Sequence, residues 1–99
     1  MGTEKETYTI EYYPFVVRRD IPRLDAFWHG MVGETIAQKL SIRPEVFGKP
    51  LRESLAGWRA LRVGDYRIVY EIKGKTVYIL GILHRSEVYR EVEKRLGLR

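Results

Sequence analysis

Three runs rich in β-branched and aromatic residues follow one another in the second half of the chain, Trp58–Val63, Tyr66–Ile72 and Thr76–Leu83. Gly64-Asp65 separates the first pair, and Lys73–Lys75 with Gly74 at its centre separates the second. Both breaks are hairpin chemistry, because a tight turn between twisted strands needs residues that accept positive φ. The spacing therefore predicts an antiparallel meander, whose apolar side the rest of the chain must cover.

The first half supplies the cover. "YTIEYY" (residues 8–13) is rich in β-formers and reads as a strand, with Tyr8, Ile10 and Tyr12 on one side. Pro14 can open a short helix over "PFVVRRD", which stops near Asp20–Pro22. In "LDAFWHGMVGETIAQKLSI" the apolar residues recur at helical spacing behind Asp25, an N-cap residue type. Gly30 and Gly33 either weaken that helix by about 1 kcal/mol each or allow a close neighbour. "RPEVFGKPL" reads as a loop with one helical turn. "SEVYREVEKRL" reads as a helix capped by Ser86, with Val88, Val92 and Leu96 on one stripe. The expected order is β-α-α-β-β-β-α: a single α+β domain over residues 1–99, with helices on one face of a mostly antiparallel sheet.

With 44% hydrophobic residues the chain can pack a core, which excludes wholesale disorder. It has no cysteine, so disulfides, thiolate metal sites and cysteine nucleophiles are excluded. That composition suits a reducing cytoplasm. The opening "MGTEKETYTIEYY" lacks the apolar centre of a secretory signal, and no apolar run reaches the roughly 20 residues of a membrane helix. The expectation is a cytoplasmic protein with no membrane contact. Its net charge of +5 is uneven. Residues 1–48 carry 6 Lys/Arg against 7 Asp/Glu, whereas residues 49–99 carry 12 against 6. Two readings of the excess stay open on charge alone, a polyanion partner and a solubility surface.

The arginines sharpen the question. With Gly64-Asp65 as a two-residue loop, Arg62 faces Arg67 across the hairpin, and the two share a side of the sheet. Like charges placed so destabilise a bare sheet by some tenths of a kcal/mol. A phosphate between two guanidinium forks would reverse the sign. The bland alternative has both side chains splayed into water or paired with Glu71 or Glu87. Strict alternation along the third strand groups Ile79, Gly81, Leu83 and Arg85 on one side and Leu80, Ile82 and His84 on the other. Arg85 thus arrives at a strand end, just before a helix opening that favours anions, with Tyr89 in its first turn. His84 is either a general acid or base beside this cluster or a hydrogen-bonded member of the apolar side.

No metal site is predicted, since the two histidines are far apart and no acids stand at ligand spacing. There is no phosphate-binding glycine loop and no serine nucleophile motif. The chemistry that best suits arginines without these partners is phosphodiester transfer by the 2′-hydroxyl of RNA itself. There the protein binds, aligns and stabilises charge.

The segment "GKPLRESLAGWRALRVGDYRIVYEIKGKTVYILGILHRSEVY" resembles the RelE/ParE toxin superfamily of prokaryotic toxin–antitoxin pairs. The resemblance implies a RelE-like α+β fold and a toxin that cuts mRNA in the ribosomal A site, leaving a 2′,3′-cyclic phosphate. It implies no metal and no small-molecule cofactor. The implied partners are a cognate antitoxin and the ribosome with its mRNA. By the same resemblance Arg62, Arg67, Arg85 and Tyr89 are the catalytic candidates, with Arg67 on the phosphate and Tyr89 in base stacking or proton transfer. The chain departs from ribonucleolytic members at Trp58 and Ala60, where those carry lysines. Lys49, Arg52, Arg59 and His84 are the further RNA-binding candidates, although Arg59 falls on the opposite side of a regular strand. Two alternatives stand beside this reading: a ParE-like toxin that poisons DNA gyrase, and an attenuated member that only binds antitoxin or RNA.

Overall fold

The computed structural model describes residues 7–98. A five-stranded sheet has the order β1-β5-β4-β3-β2. Its strands are β1 (Thr9–Tyr12), β2 (Lys49–Pro50), β3 (Arg59–Val63), β4 (Tyr66–Lys73) and β5 (Thr76–His84). The meander is present as expected, with Arg62 opposite Arg67 and Val63 opposite Tyr66 across the Gly64-Asp65 turn. β1 runs parallel to β5 at one edge, and the two-residue β2, not expected from the sequence, pairs with β3 at the other. Helix α1 (Ala26–Thr35) runs on into a wider π-turn at Ile36–Leu40. The predicted cap holds, since the Asp25 carboxylate accepts the Trp28 N–H at 3.0 Å. A short α2 (Pro44–Phe47) precedes β2, and α3 (Val88–Arg95) follows β5. No helix among the described residues is long and apolar enough to cross a membrane.

Both sides of the sheet are covered, which corrects the expectation of helices on one face. Val16, Val32, Ile36 and Leu40 pack with Leu61, Ile68, Tyr70 and Ile79 on one side. On the other, Leu55, Val88 and Val92 pack with Val69, Leu80 and Leu83. The meander contributes apolar residues to both sides, so one helical layer could not bury it.

The alternation read along β5 is also corrected. Val69 pairs with Gly81 but Tyr70 pairs with Ile79, so Leu80 is an extra residue. This bulge resets the period of two. Ile79 and Ile82 consequently share one core, while Leu80 joins Leu83 in the other. Two backbone groups at the bulge are taken by side chains. Asp20 accepts the Ile82 N–H at 3.0 Å, and Arg95 donates to the Leu80 carbonyl at 3.0 Å. Arg95 and Asp20 also form a bidentate pair at 2.6 and 2.7 Å, with side chains only 4% and 1% exposed. Burial opposes the Arg95 charge, but the hydrogen bonds and attraction of Asp20, then Glu91, outweigh it and raise the pKa further.

The segment before β2 is tied down at close range. Tyr70 Oη donates to the Pro44 carbonyl at 2.7 Å. A Cβ on Gly48 would collide with the Tyr70 ring and hydroxyl, so only glycine lets the chain cross there. Gly30 and Gly33 behave differently, since a Cβ at either meets nothing within 4 Å. They serve no close packing. Gly33→Ala should therefore stabilise the fold by about 0.5–1 kcal/mol, read as a higher urea midpoint at unchanged m-value.

Candidate nucleic-acid interface

The bulge and the two hairpin registers bring distant residues to one end of the sheet. Leu51, Ala60, Arg67, Arg85, Val88 and Tyr89 line a cavity of about 220 Å³. A larger hollow of about 650 Å³ adjoins it, sharing Leu51 and Tyr89 and adding Lys49, Arg52 and Glu93 among others. Tyr89, 63% exposed in the first turn of α3, is the common wall. Five of the eight residues singled out from the sequence thus meet around two connected hollows: Arg67, Arg85, Tyr89, Lys49 and Arg52.

Arg67 neither splays away nor pairs with an acid in the way the sequence alternatives had it. Its Nη1 donates to the carbonyls of Gly64 and Tyr66, both at 3.0 Å. Nη1 is thereby anchored to its own turn. Arg85 is held by Asp65, whose carbonyl accepts the Arg85 N–H at 2.8 Å and whose carboxylate lies 3.8 Å from Arg85 Nε. Asp65 was legible only as a turn residue. The β4–β5 register, which sets Tyr66 against His84, is what places it beside Arg85. Arg62 is exposed opposite Arg67 and is not among the residues lining the 220 Å³ cavity.

One further expectation changes, at Ser86, and two candidates, His84 and Arg59, are not among the residues lining the hollows. His84 lies on the other side of β5, with its ring edge-on to Tyr66 at 5.6 Å. Its Nδ1 accepts the Ser86 N–H at 3.2 Å and sits 2.9 Å from Ser86 Oγ. Ser86 is thereby drawn to His84 and does not cap α3, whose N-cap position is Glu87. Arg59 points away from the hollows, as expected of its strand position. Its Nη2 donates to the Glu45 and Gly48 carbonyls at 2.9 and 2.7 Å, a tether for the loop before β2. Of the two positions where lysines were missing, Trp58 packs 6.3 Å from Tyr13, and Ala60 leaves an open floor in the arginine cavity.

A cavity of this kind, with two guanidinium groups, one of them anchored, and one phenol, can hold a phosphodiester and place a proton donor beside it. Among the described residues no group of three or more His, Asp or Glu could hold a metal ion.

Similarity to known proteins gives this fold its class, a toxin of a type II toxin–antitoxin system. The family described as "ParE toxin of type II toxin-antitoxin system, parDE" matches residues 32–89. The chain is 39% identical over 85 residues to Toxin RelG of Mycobacterium tuberculosis, covering 84% of this chain and 97% of that protein. It is 39% identical over 74 residues to Toxin RelE of the same organism, covering 73% and 76%. The crystal structure of the toxin–antitoxin complex RelBE2 from M. tuberculosis contains a chain that superposes with a TM-score of 0.75. That chain is 36% identical, and the match covers 86% of this chain and 99% of it. The chain belongs to the RelE/ParE toxin superfamily.

Proposed function

We propose that this toxin is a metal-independent endoribonuclease that cuts mRNA on the ribosome and so stops translation. The observation that carries the reading is the convergence of Arg67, Arg85 and Tyr89 on one cavity. In this reaction the ribose 2′-oxygen attacks the adjacent phosphorus, the P–O5′ bond breaks, and a 2′,3′-cyclic phosphate remains. Arg67 and Arg85 hold the non-bridging oxygens, where negative charge grows in the transition state. Tyr89, the phenol lining that cavity, gives its proton to the departing 5′-oxygen, while the 2′-proton leaves to water. Ala60 and Trp58 supply no base, so rate comes from alignment and charge stabilisation. Lys49 and Arg52 in the adjoining hollow track the next phosphates. A cognate antitoxin is the second partner, as in the RelBE2 complex, and an acidic segment over the basic cleft would give salt-sensitive association.

A second reading, gyrase poisoning, draws on the match to the ParE family and on alanine where a catalytic lysine would stand. One pair of assays separates the two. The protein is added to a cell-free translation system programmed with one defined mRNA, and cuts are mapped by primer extension with and without ribosomes. Ribosome-dependent cuts with intact gyrase supercoiling are the expected result. Uncut mRNA with inhibited supercoiling would replace the nuclease reading with the second.

A further inference from the structure

Trp28 stands on α1, in the layer across the sheet from the arginine cavity, and takes no part in the chemistry proposed above. Yet its ring is pressed onto the turn that carries Arg67. A Cβ built on Gly64 would collide with Trp28 Cη2 and Cζ3, and Gly64 has φ +58°, so glycine is required there for space and conformation alike. The same indole packs against Tyr66, ring centroids 5.1 Å apart. Gly64 and Tyr66 are the two residues whose carbonyls accept the Arg67 guanidinium at 3.0 Å. Both acceptors that fix Nη1 of Arg67 therefore belong to residues seated against one tryptophan.

We infer that Trp28 is a positioning residue for Arg67, acting through the Gly64 and Tyr66 carbonyls from the far side of the sheet. The inference rests on the nuclease reading for its effect on rate, but not for its effect on Arg67 itself. Without the indole the turn loses its backing. Its carbonyls can then shift, and the guanidinium is no longer held where the phosphate arrives. Displacements on the scale of 1 Å at a reacting centre can lower rates by about 10²-fold. Phe27, edge-on to Trp28 at 5.1 Å, extends the aromatic stack outward and is 63% exposed, so it adds less constraint.

The test uses the full chain as Trp28→Ala, Trp28→Phe and Val32→Ala, each also in an Arg67→Ala background. Val32 is buried in the same helix layer and serves as a control for general destabilisation. Two quantities are read: single-turnover cleavage of ribosome-bound mRNA, and the NMR signal and order of the Arg67 guanidinium in the free protein. Trp28→Ala should slow cleavage about 10²-fold and free the guanidinium, Trp28→Phe should recover part of both, and Val32→Ala should change neither. In the Arg67→Ala background, Trp28→Ala should cost nothing further, because the two act as one unit. Equal Arg67 order in wild type and Trp28→Phe and →Ala, or additive losses of rate, would overturn the inference. If the wild type cuts no mRNA, the nuclease reading fails, and the NMR comparison still decides the role of Trp28. Should Trp28→Ala not fold, Trp28→Phe against Val32→Ala decides it by the same two readouts.

Discussion

If the toxin is the proposed nuclease, Arg67→Ala should lower the single-turnover rate of mRNA cleavage about 10²–10³-fold, the loss typical of removing one group aimed at developing charge. The expectation follows from how the side chain is held. Arg67 stands on β4, next to a rigid two-residue turn, with one guanidinium nitrogen fixed to Gly64 and Tyr66. The side chain is thus pre-oriented, so little entropy would be lost on binding a phosphate. Arg67→Lys keeps the charge but loses the planar fork, and should recover only part of the rate. Arg85→Ala should cost less, because Arg85 is 65% exposed and held by an exposed acid at 3.8 Å. Circular dichroism should be unchanged in all three variants. Full activity of Arg67→Ala would mean that the cavity serves some other anion.

The largest effect on stability is expected at Asp20. Asp20→Ala leaves the buried Arg95 guanidinium without its bidentate partner and the Ile82 N–H at the bulge without its acceptor. Breaking a buried pair by removing one member costs about 3–5 kcal/mol. A domain of this size has about 5–15 kcal/mol in total, so the variant should sit near its unfolding threshold at 37 °C. Urea denaturation gives the comparison. Arg19→Ala, which removes the half-exposed contact to Glu91 at 3.3 Å, should cost under about 1 kcal/mol. The double variant Asp20→Ala/Arg95→Met should regain part of the loss, because the guanidinium is no longer buried without Asp20, while Glu91 keeps only Arg19 at 3.3 Å and the Ile82 N–H still lacks its acceptor. A mild Asp20→Ala would show that water reaches Arg95 and that the bulge is held by other means.

The meander, the α1 cap and the facing arginines were legible because each depends on residues within a few positions of one another. Gly64-Asp65 sets the hairpin register by itself, and with it the Arg62–Arg67 pairing. What was hidden depends on contacts between distant parts of the chain. The β5 bulge is stabilised by Asp20 and Arg95, which lie 75 positions apart, and no local pattern around Leu80 announces it. The two-residue β2 has no periodicity to read. It exists because Gly48 passes under Tyr70 and because Arg59 holds the loop carbonyls. Arg59 and His84 were drawn into the candidate site by their proximity in sequence to the arginines. The pleat sends Arg59 to the other side, and Tyr66 with Ser86 holds His84 there.

The order of the chain has a consequence for the cell that makes this protein. The arginine cavity is lined by residue 51 at one extreme and residues 85, 88 and 89 at the other, and α3 is seated by Arg95. While the meander is emerging during synthesis, Arg67 can already lie on its hairpin, but the wall formed by Tyr89 has yet to be made. When Tyr89 has just been added, it is still enclosed in the exit tunnel of the ribosome that is making it. The cavity is thus completed only after the last helix has cleared the machine that built it. On the nascent chain the cavity therefore stays incomplete for as long as that helix is in transit.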